Sequence, residues 1–142
     1  MPPLHPLLVH FPIALLPVAF LLEVAAIYFK RRELSQGGWW IQVFGTAGLL
    51  AATLSGLIAH SAVQTSDHAT LAALDNHQQL AFVADAVFAL LLLWRIGARS
   101  LIPEGRRGLY LSIYALGVLL LIAAGLFGGI VVYEFGVGVS AR

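Results

Sequence analysis

The chain contains no cysteine, so histidine and carboxylate are its candidates for metal, redox or acid–base chemistry. Its five histidines are His5, His10, His60, His68 and His77. Neutral imidazole serves as an axial haem ligand or as a ligand to a bare metal ion. His5 and His10 are five positions apart, about 140° around a helix, so the two rings do not share a face. At about 1.5 Å of rise per residue, His10, His60 and His77 fall in one layer beneath the same membrane surface. They form the candidate ligand set, with His5 as a further candidate metal ligand and His68 as a solvated loop residue. Asp85 lies at a similar depth inside an apolar segment, where an ionisable group is costly and normally faces protein. It is a candidate to orient a ligand imidazole through its second nitrogen or to join a metal site directly; a protonated buried acid and a proton-relay group are its other readings. Glu23 lies deeper, towards the basic loops, and is expected to pair with one of their arginines rather than to catalyse.

Small residues recur every four positions at Gly48, Ala52 and Gly56, and again at Gly125 and Gly129 beside Gly128. This spacing lets helices approach closely, and at Gly125 and Gly129 it also leaves room for a flat macrocycle against the backbone. Neither HExxH nor CxxCH occurs, so a compact zinc-protease motif and covalent haem attachment are both excluded.

These residues must be held by a membrane scaffold. Of 142 residues, 60% are hydrophobic and 11% charged, and the mean hydropathy is +0.90. Average soluble domains are roughly 45–50% apolar and about 25% charged, and a core of this size cannot hide the surplus. A formal charge of +1 without a basic stripe excludes a nucleic-acid partner.

Four apolar segments, at about 7–29, 39–63, 78–98 and 109–133, each approach the roughly 20 residues that a helix needs to cross a bilayer. The first lacks a basic leader and is too long for a signal core, so it reads as a retained span. Short connections predict a single domain over 1–142, all-α, an antiparallel up-down-up-down four-helix bundle. No internal repeat emerges from this reading.

Lys30, Arg31 and Arg32 mark the first loop, and Arg95, Arg99, Arg106 and Arg107 flank the third. The second loop has Asp67 and Asp75 and no basic residue. The positive-inside rule then predicts both termini on the outer, extracytoplasmic side of a bacterial inner membrane, with Arg142 alone opposing it. All five histidines fall on that outer side. Trp39, Trp40, Trp94 and Tyr133 sit where interfacial aromatic anchors are expected. Pro12 and Pro17 each remove a backbone donor inside the first span, and a bend there would tilt His10 towards the bundle axis.

Together HPLLVHFPIALLP at the start, NHQQLA at the third span and GLFGGIVVYEFGVGV at the end resemble the bacterial membrane family named domain of unknown function 2231. The resemblance covers nearly the whole chain. It implies a four-helix membrane protein, and His5, His10 and His77 match histidine positions of the family. It also implies association with cytochrome c-like or Rieske-type redox modules. Leu126 and Phe135 stand where relatives often carry histidine.

Three functions follow as expectations. The first is a membrane electron carrier or redox-complex subunit holding haem b between two of His10, His60 and His77, exchanging electrons with a quinol or another redox partner. The second is a zinc or copper site formed by the same histidines with Asp85. The third is a cofactor-free accessory subunit, as a homodimer or within a larger membrane complex, whose histidines satisfy helix ends.

Overall fold

The computed structural model describes residues 4–99, 102 and 105–138; Arg142 and the last residue of the closing GVGV motif lie outside them. Four helices follow one another: α1 (Leu4–Tyr28), α2 (Arg32–Ser61), α3 (His68–Gly97) and α4 (Arg107–Tyr133). Each is long and apolar enough to span a membrane, and large apolar side chains such as Leu7, Leu54, Leu90 and Leu119 cover the outside of the bundle. That is the surface a hydrocarbon solvent requires.

α2 and α3 start well before their apolar segments do. Polar residues continue a helix as readily as apolar ones, so hydropathy delimits the part in lipid and not the helix. Asp67 starts α3, its carboxylate accepting from the Thr70 amide at 2.9 Å and from the Thr70 hydroxyl at 2.5 Å. α1 ends in a Schellman-type closure: the Arg31 amide donates to the Ala26 carbonyl at 3.1 Å, with Lys30 in the left-handed region at φ 53°. Pro12 and Pro17 are both accommodated within a continuous α1.

α1 packs on α2 and α4, and α3 packs on α4 and α2, so α1 faces α3 across the bundle diagonal. The buried seam of α1 is Pro12, Leu16, Ala19, Glu23 and Ala26, and that of α3 includes Ala84, Phe88, Leu91 and Arg95. Alternating steps of three and four residues are the 3.5-residue repeat of left-handed helix packing.

The two seams reveal a repeat that the sequence reading missed. An offset of 72 positions, from His5 to His77, carries Pro12 onto Ala84, Leu16 onto Phe88, Ala19 onto Leu91 and Glu23 onto Arg95. In α2 and α4 the same offset carries Gly45 onto Gly117, Leu49 onto Leu121, Ala52 onto Ala124 and Gly56 onto Gly128. A Cβ on Gly45 would lie 2.8 Å from Leu16, and one on Gly117 would lie 3.1 Å from Phe88, the equivalent partner. The bundle is two copies of one helical hairpin related by a pseudo-two-fold axis along its length, the parallel-repeat arrangement of membrane folds. Apolar identities drift while their burial is kept, which hides the repeat from inspection.

Candidate functional site

The axis between α1 and α3 carries polar groups at both ends. At the end that holds the termini, His5 and His77 meet with ring centroids 5.9 Å apart and planes at 75°. The Nδ1 of His5 lies 2.9 Å from the Ala52 carbonyl, and the Nδ1 of His77 lies 2.8 Å from the Ala124 carbonyl. A carbonyl oxygen can only accept, so Nδ1 of each ring carries the proton. In the neutral imidazole Nε2 is then a bare lone pair. Fixing one nitrogen on a carbonyl so that the other is presented is how ligand histidines are held.

Glycine permits this placement in both hairpins. A Cβ on Gly56 would stand 2.9 Å from the His5 ring, and one on Gly128 would stand 3.1 Å from the His77 ring. Ser55 adds its hydroxyl 3.2 Å from His5 Nδ1 while donating to the Ala52 carbonyl at 2.7 Å. Ala52, Ser55, Gly56 and Gly128 were not singled out for histidine placement by the sequence reading. The 72-residue offset would have found all but Ser55.

The other proposed residues are placed differently. His10 is exposed, and its Nδ1 lies 2.6 Å from the Pro6 carbonyl of its own helix. The ring turns back along α1 and does not face the axis. His60, half-buried near the end of α2, hydrogen-bonds Gln78 of α3, and His68 is the exposed first residue of α3. The expected layer of His10, His60 and His77 does not converge; His77 instead meets His5. Asp85 is half-buried with Thr53 of α2 as its hydrogen-bond partner, and its Oδ1 is buried without one. Its partner is a hydroxyl and not an imidazole. Of the two glycines expected to leave room for a flat macrocycle, Gly125 faces Ile13 at 3.5 Å and Gly129 faces Tyr133 of its own helix, and neither adjoins a histidine ring. Among the described residues no three or more histidine or acidic side chains gather as a metal-binding group.

At the basic-loop end Glu23 and Arg95, equivalent positions of the two hairpins, form a fully buried ion pair. Arg95 also donates to the Ser35 carbonyl at 2.6 Å, the Ser35 hydroxyl at 3.1 Å and Gln42 Oε1 at 3.2 Å. Ser35 donates to Glu23 at 3.1 Å, Tyr110 donates to Gln42 at 2.9 Å, and the guanidinium lies 5.4 Å from the centre of the Trp39 ring. Gly38 makes space for the carboxylate, since a Cβ there would stand 2.6 Å from Glu23 Oε1. The expected pairing of Glu23 with an arginine thus takes place inside the bundle, with Arg95. Leu16, Leu49, Ala84, Phe88 and Leu121 belong to the apolar core between the two polar ends.

No curated protein and no solved structure matches the chain. One family profile does, over residues 1–141. The chain therefore belongs to the family described as predicted membrane protein, domain of unknown function 2231.

Proposed function

We propose that the protein is a small membrane haem protein, an electron-transfer component in which His5 and His77 would hold haem b. The observation carrying this reading is the pair of carbonyl-anchored rings 5.9 Å apart. Two neutral imidazoles this close, each with Nδ1 held by a carbonyl and Nε2 left as an acceptor, could hold one metal centre between them. The donor set also fits: two neutral nitrogens, without a third ligating side chain among the described residues, suit an axial pair better than a closed tetrahedral site. When bound, haem supplies one-electron chemistry, and two imidazoles leave no open position for oxygen.

The chain's own residues do the rest. The Ala52 and Ala124 carbonyls fix each imidazole as the Nδ1–H tautomer, and Gly56 and Gly128 let the rings lie against the backbone. In this reading the positive-inside rule supports a site on the outer side of a bacterial inner membrane, with both termini outside. Its redox partners in this reading are a quinol and a cytochrome c-like or Rieske-type module. A reduced-minus-oxidised visible spectrum of the detergent-purified protein tests the reading. One haem per chain with a b-type band supports it; protein from a haem-replete host with a bound transition metal and no haem refutes it and moves the same two imidazoles to a copper or zinc role.

A further inference from the structure

The ion-pair end of the bundle holds a second, separate feature. Three buried side-chain atoms there have no hydrogen-bond partner: Gln42 Nε2, Thr46 Oγ1 and the Tyr114 hydroxyl. Their residues are 0%, 2% and 0% exposed. Inside a bilayer such atoms cannot borrow a partner from bulk solvent, and each orphan costs on the order of 1–3 kcal/mol.

Gln42 and Thr46 are one turn apart on the same buried face of α2. Tyr114 is the pseudo-two-fold equivalent of Gln42 on α4, and its ring centre is 5.9 Å from that of Tyr110, whose hydroxyl already reaches Gln42 Oε1 at 2.9 Å. The Tyr114 hydroxyl also lies within the electrostatic field of Tyr110, Glu23 and Arg95. α2 and α4 are diagonal helices whose backbones do not touch, so they are joined only through side chains, as Tyr110 and Gln42 are, or through a small molecule held between side chains.

We propose that Gln42 Nε2, Thr46 Oγ1 and the Tyr114 hydroxyl bind a structural water that ties α2 to α4 and extends the Glu23–Arg95 network one turn deeper into the membrane. The chemistry selects water: one amide donor and two hydroxyls, each able to donate or accept, match the roughly three hydrogen bonds that a buried water makes. An apolar molecule would leave all three atoms unpaired.

A double-variant cycle tests this in the full-length protein. Thr46→Val and Tyr114→Phe each delete one hydroxyl and keep nearly the same shape. With a shared water, each single variant lowers the folding equilibrium constant by about five- to tenfold, and the double variant loses little more than the worse single one. Single variants that are neutral or more stable overturn the proposal, because they identify the hydroxyls as dry orphans; losses that multiply overturn it too, because they identify separate partners. A direct measurement uses the unmodified protein: magnetisation transfer from water to the Gln42 side-chain amide, seen by nuclear magnetic resonance, is expected, and its absence overturns the proposal. Haem content is not involved, so this result stands apart from the histidine site.

Discussion

Replacing Arg95 by Met tests what holds the two hairpins in register. The guanidinium is wholly buried and serves Glu23, Gln42 and both oxygens of Ser35, with Trp39 against it. Met fills much of the volume but donates nothing. Glu23 then keeps a buried charge that the Ser35 hydroxyl still hydrogen-bonds but no guanidinium offsets. Breaking a buried pair from one side costs about 3–5 kcal/mol, between about a hundredfold and a few thousandfold in the folding equilibrium. Glu23→Leu strands the guanidinium and has a cost in the same range. The double variant removes both charges together, so the apolar pair escapes most of the penalty and loses well under the sum of the single costs. Unfolding of the micellar protein by sodium dodecyl sulfate, followed by tryptophan fluorescence and helical circular dichroism, measures all three variants. Trp39 reports the site directly. Additive losses would refute the pairing of α1 with α3 across the axis.

Other predictions follow from the same geometry. Gly56→Ala and Gly128→Ala place a methyl at 2.9 and 3.1 Å from His5 and His77; both should lower haem content several-fold while the helical signal stays unchanged. Lys30→Gly should raise stability by about 1 kcal/mol in the same detergent titration, because φ 53° costs a residue with a Cβ more than glycine. The Thr70 side-chain and backbone hydrogen bonds hold the Asp67 carboxyl below its ordinary value of 3.8. Its cap therefore contributes stability above that value and loses it as pH falls through the lowered one. A carboxyl nuclear magnetic resonance titration should give a midpoint under 3.8, and Asp67→Asn should remove the low-pH loss of protection at the Thr70 amide.

The spans were legible because a bilayer demands continuous apolar length, and that demand leaves a plain trace in composition. Helix ends were less legible, since RELSQGG and HATLAALDNHQQ are polar yet helical. Depth along a helix, from which the sequence suggests a layer of His10, His60 and His77, does not fix a face. The face is set by the seam: stepping back seven residues from Ala26 and Ala19 reaches Pro12 and then His5, whereas His10 falls out of phase. In α3 the same steps from Leu91 pass through Ala84 to His77. Glu23 was assigned an arginine from its depth alone, and the 72-residue repeat would have named Arg95. Asp85 shows the limit of such reasoning, because the equivalent position in the first hairpin is Ile13. An acid facing Thr53 in one copy and an apolar side chain facing Gly125 in the other cannot be told apart by hydropathy.

The central claim is that the two axis histidines, and not the other three, hold the cofactor. The reduced-minus-oxidised spectrum of His5→Ala, His77→Ala and His10→Ala, each purified from a haem-replete host beside the unmodified protein, tests it most directly. The account predicts one b-type haem per chain in the unmodified protein and in His10→Ala, with loss or a marked spectral shift of equal extent in His5→Ala and His77→Ala. A spectrum that survives both axis substitutions, or that His10→Ala alone abolishes, would contradict it.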